Sequence, residues 1–286
     1  MNTQVAPLTP PPAKPLSPWE FWGRLMVVPY IVVFVVFVLY PVGYGLWLAR
    51  HPQSYVDLFN DPIFFRSAVN TFVFLVVAIN LKMVVALALS GFFVMERWWI
   101  KIVSALFILP WAVPSIPTIL SVRFMLNPEW GIINSAIFRW TGLDGPNWLN
   151  DPTLALSLSM LMHIWKSLPF WTLILVAARL AIPSEQYEAA SVDGATSWQK
   201  FKFITWPSMR SIYLTSTILS MIWTLGDFNS VYLLTGGGPA DMTHVLATLG
   251  IRYLRLDQVD LAMASIVVGL PFVLPLVYFM MKRLSK

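Results

Sequence analysis

Six long apolar stretches alternate with shorter polar segments along this chain of 286 residues. Each is close to the roughly 20 predominantly apolar residues that a helix needs to cross a bilayer. They cover residues 25–49, 67–93, 102–120, 154–180, 212–232 and 261–281. The pattern predicts an all-α membrane protein with six transmembrane helices, so that both chain ends lie on one side of the membrane.

The distribution of Lys and Arg predicts which side that is, because cytoplasmic flanks carry the excess of these residues. With both termini in the cytoplasm, the outer flanks carry only Arg50, Arg66, Arg123, Arg139, Arg252 and Arg255. The inner flanks carry Lys14, Arg24, Arg97, Lys101, Arg179, Lys200, Lys202, Arg210, Lys282, Arg283 and Lys286. Cytoplasmic termini are therefore predicted, and the net charge of +5 needs no nucleic-acid partner because most of it lies beside anionic lipid.

The composition excludes several classes of protein and site. Hydrophobic residues make up 57% of the chain, charged residues 12%, and the mean hydropathy is +0.68, which leaves too little polar surface for a soluble globule. The absence of cysteine excludes disulfides and thiolate sites. His51, His163 and His244 lie far apart, and Asp241 is the one acidic neighbour at a helical spacing, so we predict no metal site. No nucleophile, base and orienting group can be named together, so we predict no enzyme.

Three polar regions interrupt this pattern outside the spans. Residues 1–22 are rich in proline and predict a disordered cytoplasmic tail, followed by a transmembrane domain over 23–286. The outer loop 123–151 is dense in turn-forming residues and is either a docking surface for an external partner or a connector. The run Thr235-Gly236-Gly237-Gly238-Pro239 predicts a tight turn, since no Gly-Lys-Ser/Thr follows it and a nucleotide-binding loop is thereby excluded.

A polar insertion occupies residues 181–207, on the predicted cytoplasmic side. Pro183 and Ser184 predict the start of a helix that extends to residue 192, and Gly194 permits a break. Ser197 is expected to cap a second short helix that ends before Pro207. Helices this short are marginal by themselves in water, so the insertion is expected to bind a partner protein.

Ionisable residues inside the predicted spans form the last pattern: Lys82, His163, Lys166 and Asp227. A charge within a span is costly and usually marks a pathway or a paired site. His163, Lys166, Ser167 and Phe170 follow one another at spacings of three and four, which share a helix face and could line a cavity. Lys82 is interpreted as a snorkelling or packing lysine without a role of its own.

Glu188-Ala189-Ala190, with Gly194 six residues after the glutamate, resembles the signature loop of permease subunits of binding-protein-dependent ABC importers. Trp206 departs from the family pattern, which more often has leucine there. Asp193-Gly194-Ala195 and Leu233-Leu234-Thr235-Gly236-Gly237-Gly238-Pro239 resemble the carbohydrate branch, which includes the maltose and glycerol-phosphate permeases. The resemblance extends from about Arg24 to the C-terminus.

The resemblance implies a type I importer permease in the bacterial inner membrane, which carries a sugar or polyol. It implies a heterodimer with a second permease subunit, two ATPase subunits, an external solute-binding protein and surrounding membrane lipid. ATP and Mg would be bound by the ATPases and no cofactor by this chain. The insertion would be a coupling helix whose contact residues are Glu188, Ala189, Ala190 and Gly194.

The resemblance also implies a substrate path, because eight positions match sugar contacts of the larger maltose permease subunit: Ser115, His163, Lys166, Ser167, Phe170, Trp223, Thr224 and Asp227. Their identities mostly differ, so maltose itself is not implied. Aromatic rings can stack on sugar C–H faces, and Lys166 either meets an anionic group or pairs with Asp227. The alternative function is a secondary transporter with ion coupling through Asp227 and Lys166, and a scaffold without transport is disfavoured by the polar face.

Overall fold

The computed structural model describes residues 18–284, which are helical throughout their regular structure and contain no strand in that range. The chain divides into two compact units between Leu48 and Ala49. The α-helices are α1 Pro18–Phe34, α2 Tyr40–Leu48, α3 Pro52–Asn60, α4 Pro62–Val73, α5 Asn80–Phe93, α6 Trp98–Ala112, α7 Ser115–Met125, α8 Ile132–Thr141, α9 Pro152–Leu180, α10 Ser184–Val192, α11 Ser197–Lys200, α12 Trp206–Leu225, α13 Asn229–Thr235, α14 Leu246–Arg255, α15 Val259–Val267 and α16 Leu270–Leu284.

The first unit is one helical run, α1 and α2 joined by a π-helical turn, Val35–Leu39. The wide turn comes just before Pro41, which has no N–H to donate and whose ring crowds the carbonyl four residues earlier. Residues Trp22–Leu48 are long and apolar enough to cross a membrane. Of the predicted tail, residues 1–17 lie outside the described part of the chain, and residues 18–22 belong to α1.

In the second unit, two further runs are long and apolar enough to span: Pro62–Phe93, which contains α4 and α5, and Pro152–Leu180, which is α9. The predicted third span, 102–120, is not one helix. It breaks between α6 and α7, which meet at 93°. Val113 is extended, as a residue before proline prefers to be, and α7 starts after Pro114.

The fifth and sixth predicted spans are also interrupted. α12 ends at Leu225 and α13 begins at Asn229, inside the predicted segment 212–232. α15 ends at Val267 and α16 begins at Leu270. Across residues 18–284 the helices therefore give three candidate spans, or four with the bent pair, where the apolar pattern predicted six.

α9 is the helix around which the second unit packs. Its buried Trp171 and Leu175 lie against Ile79, Met83 and Met209 of the neighbouring helical segments. Small residues, Ala86 and Ala178 among them, let the helices approach closely, as is typical of helix packing in membranes. A second cluster joins α3, α4, α14 and α15 through Leu58, Phe64, Leu249, Tyr253 and Ala262. α9 therefore holds its polar face in a fixed position against α5 and α12.

Candidate functional site

Three ionisable side chains meet where α5, α9 and the end of α12 come together. Nζ of Lys82 lies 3.0 Å from Nε2 of His163, and Nδ1 of His163 lies 2.5 Å from Oδ2 of Asp227. Lys82 is 1% exposed and His163 7% exposed. Oδ1 of Asp227 accepts a hydrogen bond of 3.2 Å from the backbone N–H of Ser230. Sequence spacing could not show that Lys82 is part of this group, because the lysine and the histidine are 81 residues apart.

A cleft of about 370 Å³ opens beside this group, and it brings the predicted substrate-path residues together. Seven of the eight line it: Ser115, His163, Lys166, Ser167, Phe170, Trp223 and Asp227. The eighth, Thr224, is buried, and its Oγ1 lies 3.2 Å from Nε2 of His163. The shared helix face predicted for α9 is therefore present, and the assignment of these residues to a solute stays a prediction.

Aromatic rings form one wall of the cleft. Phe170 lies between Trp111, with ring centroids 5.6 Å apart and nearly parallel planes, and Trp223, at 5.3 Å. Trp111 was not among the predicted path residues, because it comes just before the break between α6 and α7. The wall offers flat apolar faces of the kind that cover sugar C–H groups.

Lys166 does not pair with Asp227, so the ion pair considered from the sequence is wrong. Asp227 is bonded to His163, and Nζ of Lys166 donates to the carbonyl oxygen of Val113 at 2.5 Å. Val113 follows the last residue of α6 as its C-cap. The carbonyl groups at this end of a helix have no hydrogen-bond partner within the helix. Lys166 therefore ties α9 to the break in the third predicted span.

The predicted coupling segment forms a surface helix, α10, in which no residue is buried. Glu188, Ala189 and Gly194 are exposed, and Ala190 is partly covered. Gly194 adopts a positive φ of 75° just after the helix ends, a conformation that glycine accommodates without strain. The residues implied to contact an ATPase thus lie on an open surface of the second unit.

Two hydrogen bonds attach α10 to the helical run that follows it. The hydroxyl groups of Tyr187 and Thr205 lie 2.9 Å apart, and Nζ of Lys200 donates to Oγ of Ser191 at 2.5 Å. A cleft of about 580 Å³ lies at the other end of α10, between Arg179, Pro183 and Gly91. The helix is consequently braced against α11 and the π-helical turn Phe201–Thr205, which continues into α12 and so toward Asp227.

The start and end of the second short helix differ from the prediction. Thr196 is the cap, with its Oγ1 accepting from the N–H of Gln199 at 3.3 Å while the Gln199 side chain accepts from the N–H of Thr196. The helix also does not end before Pro207. A π-helical turn, Phe201–Thr205, carries it into α12, and Pro207 is tolerated because it stands in the first turn after that wider segment.

A second polar cluster surrounds the glycine run and ties it to α4. Asp61 caps α4 by accepting from the N–H of Ile63 at 2.8 Å, and its other oxygen accepts from Tyr253 Oη at 2.8 Å and Arg252 at 3.4 Å. Nε of Arg252 also donates to Asp241 at 2.9 Å. The predicted tight turn is thus part of a larger packed loop, in which Gly236 ends α13 with a positive φ.

His244 is at the centre of that loop and is 2% exposed. Its Nε2 lies 3.3 Å from Oδ1 of Asp241, and its Nδ1 lies 3.0 Å from Oγ1 of Thr248. Burial lowers the pKa of His244 below 6.5, with the nearby Arg252 and Arg255 acting in the same direction and Asp241 opposing them. Partial burial would raise the pKa of Asp241, but the hydrogen bond and charge of Arg252 hold that pKa below its usual value.

We expect these two pKa shifts to make the fold less stable in acid. Because the folded state disfavours protonated His244, this contribution is present above pH 6.5 and is lost as the pH falls below it. The contribution of Asp241 is lost at lower pH, below its ordinary value of 3.8. Melting temperatures in detergent at pH 7.5 and 5.5 measure the effect of His244. His244→Gln should reduce the change of melting temperature between the two pH values, whereas His51→Gln, at an exposed histidine, should not. The same change in the unmodified protein and in both variants would contradict this prediction.

The sequence of the chain matches a known protein family. Residues 82–286 match the family described as binding-protein-dependent transport system inner membrane component. The chain is 31% identical over 267 residues to the trehalose/maltose transport system permease protein MalF of Thermococcus litoralis, covering 89% of this chain and 90% of the relative. It is 29% identical over 258 residues to the sulfoquinovosyl glycerol transport system permease protein SmoG of Agrobacterium fabrum, covering 82% and 83%.

The fold is shared with solved structures as well. A chain of a bacterial ABC transporter involved in the import of the acidic polysaccharide alginate superposes with a TM-score of 0.76 at 26% identity, over 94% of this chain and 97% of that one. A chain of a bacterial alginate ABC transporter in complex with a pentasaccharide-bound periplasmic protein gives 0.77 at 24% identity, over 92% and 93%. The protein therefore belongs to the family of inner membrane components of binding-protein-dependent transport systems.

Proposed function

We propose that this chain is a permease subunit of an ATP-driven importer for a sugar or polyol. It works as a heterodimer with a second permease subunit, two ATPase subunits that bind ATP and Mg, and an external solute-binding protein. Its relatives carry the names of sugar transport permeases, and one of its structural neighbours is an importer solved with its periplasmic protein. The polar and aromatic cleft beside Asp227 is the proposed path of the solute.

The topology proposed for the importer keeps the six spans of the apolar pattern, of the type I permease fold, with some of them broken helices. Non-helical backbone at membrane depth is tolerated where protein or a cavity surrounds it. The break at Val113 fits this condition, since its carbonyl is bonded by Lys166 beside the cleft. Both termini and α10 are then cytoplasmic, as the Lys and Arg distribution predicts.

The observation that carries the proposal is the exposed helix α10, braced on the helical run that leads into α12. Tyr187 and Lys200 hold α10 to the run that continues through α12 to Asp227, so a movement of α10 is transmitted to the cleft as a movement of packed helices. Glu188 is exposed at the middle of α10 and is free to meet an ATPase. The alternative, a secondary transporter with ion coupling through Asp227 and Lys166, is not favoured, because Asp227 is bonded to His163 and Lys166 to the carbonyl oxygen of Val113.

Reversal of the charge at Glu188 tests this proposal. We expect Glu188→Lys to remove the ATPase subunits from the complex purified in mild detergent. The solutes to be tested are trehalose, maltose, sulfoquinovosyl glycerol and alginate oligosaccharides, and Glu188→Lys should abolish their ATP-dependent uptake into proteoliposomes. Glu96→Lys reverses an exposed charge in the loop before α6, on the same predicted side, and should leave both intact. Retention of the ATPases by Glu188→Lys, or uptake without ATP by the unmodified protein, would refute the proposal.

A further inference from the structure

Lys82 lies behind the cleft and not in its lining. The side chain leaves α5 and extends between the helices, with Nζ 5.7 Å above the ring of Trp171, and it is among the largest fully buried side chains of the described residues. A buried ammonium group in a membrane protein is unfavourable unless it is paired. Its polar partner is Nε2 of His163, so the reason for its position has to be sought through that ring.

With Asp227 ionised, the hydrogen bonds assign the proton on the ring nitrogen that faces it. If Lys82 is charged, it can only donate, so Nε2 accepts and Nδ1 carries the hydrogen. If the proton has moved from Lys82 to Nε2, the ring is an imidazolium and Nδ1 again carries a hydrogen. In both states Nδ1–H donates to Oδ2 of Asp227, and one positive charge balances one carboxylate.

This arrangement leaves Asp227 able to accept from the cleft. His163 takes a lone pair of Oδ2, the N–H of Ser230 takes one of Oδ1, and the hydroxyl group of Ser230 is a third partner of the carboxylate. Of about four acceptor positions, one is left for a donor in the cleft. The carboxylate is 17% exposed and lines the cleft between Trp223 and Ser230. Hydroxyl groups are the donors that such a site fits, because a charge-assisted O–H···O⁻ bond is stronger than a neutral one.

We propose that Lys82 is a positioning residue. Acting through His163, it keeps Asp227 ionised and fixed in orientation, so that the carboxylate accepts a hydrogen bond from a hydroxyl group of the solute. The chain of bonds from Lys82 through His163 to Asp227 joins α5, α9 and the end of α12. The positive charge that stabilises the carboxylate therefore lies behind the cleft, and the solute contacts only the carboxylate. The part that concerns the solute rests on the function proposed above, whereas the part that concerns His163 does not.

The first measurement needs no solute. The complete complex, assembled in lipid with ¹⁵N-histidine in this chain alone, should give ring signals from His51, His163 and His244. We expect His163 to show a protonated Nδ1 bonded to a carboxylate. In Lys82→Met the His163 signals should shift, while those of His51 and His244 stay unchanged. Unchanged His163 signals in Lys82→Met would overturn the proposal, whatever the protein transports.

The second measurement is the uptake of the four solutes named above into proteoliposomes. We expect Lys82→Met to raise KM by about tenfold or more, the effect of weakening one hydrogen bond to a charged group, with a smaller change in kcat. Asp227→Asn should raise KM similarly. If Lys82 acts through Asp227, the double variant should be no worse than Asp227→Asn. Additive losses, or a loss in kcat alone, would show that Lys82 has only a structural role.

The variants also control for folding. Lys82→Met leaves a carboxylate without its counter-charge, and breaking one half of a buried pair is strongly destabilising. The double variant removes both charges and should be purified in normal yield. If the single variant fails to fold, the effect of Lys82 on the His163 signals is read from the double variant against Asp227→Asn. Lys101→Met makes the same substitution at an exposed lysine of α6 and should change neither signals nor KM. If no solute of the four is taken up by the unmodified protein, the function proposal fails and the histidine spectra still decide the role of Lys82.

Discussion

Replacement of Gly237 by alanine is expected to lower the free energy of unfolding by about 2–5 kcal/mol. A Cβ atom at this position would lie 2.1 Å from Nε2 and 2.2 Å from Cε1 of His244, far inside van der Waals contact. The ring cannot move aside because it is buried and bonded to Asp241 and Thr248. Overpacking costs about 1–3 kcal/mol. The positive φ of 92° adds about 1–2 kcal/mol for any residue with a Cβ.

Gly142→Ala provides the matched control for this prediction. Gly142 also has a positive φ, 70°, but nothing lies within 4 Å of an added Cβ. Gly142→Ala should therefore lose only the free energy of unfolding that comes from the positive φ, without the overpacking. The melting temperature of the purified complex, followed by tryptophan fluorescence, measures both variants. Equal shifts for Gly237→Ala and Gly142→Ala would mean that His244 does not confine the glycine run.

Removal of the Asp61 side chain is expected to have a similarly large effect, about 2–5 kcal/mol. Asp61→Ala removes the cap of α4, worth about 0.5–2 kcal/mol. It also leaves the hydroxyl group of Tyr253 without its acceptor in a residue that is 1% exposed, which costs about 1–3 kcal/mol more. Arg252 keeps Asp241 as a partner, so its charge is not left alone.

Two further variants separate the contributions at Asp61. Asp61→Asn keeps one oxygen, which can serve either the cap of α4 or Tyr253 but not both, because Asp61 uses a different oxygen for each. It should therefore lose less stability than Asp61→Ala, but not be neutral. Asp57→Ala removes an exposed carboxylate of α3, whose one described hydrogen bond is with Gln53, and should change the melting temperature little. A small effect of Asp61→Ala, comparable with that of Asp57→Ala, would mean that Tyr253 finds another acceptor.

The apolar pattern located the long helices of the chain better than the breaks within them. It located α9 to within a few residues, because nothing inside that segment interrupts the helix apart from Pro169, which packing tolerates. It missed the break at Val113, since hydropathy does not register that the residue before Pro114 prefers an extended backbone. The ends of α12 and α15 were missed for a related reason: Gly226 and Gly269 lie between apolar segments that a window of mean hydropathy joins across.

The candidate site could be predicted where its residues share one helix. His163, Lys166, Ser167 and Phe170 follow the helical period of α9, and the structure brings all four to one cleft. The partners from other helices could not be predicted in the same way. Lys82 reaches His163 across 81 positions of the chain, and Lys166 reaches Val113 across 53. A charge within a span signals that a partner exists, but periodicity cannot identify a partner on another helix.

The bond between Lys166 and Val113 has a consequence for the order in which the chain is assembled in the membrane. The carbonyl at the end of α6 is synthesised 53 residues before the ammonium group that satisfies it. A ribosome that has just completed α7 therefore delivers a bent pair of helices with an exposed polar elbow, for which hydrocarbon offers no substitute partner. We therefore expect stable integration of this bent pair to await the emergence of α9, which carries Lys166.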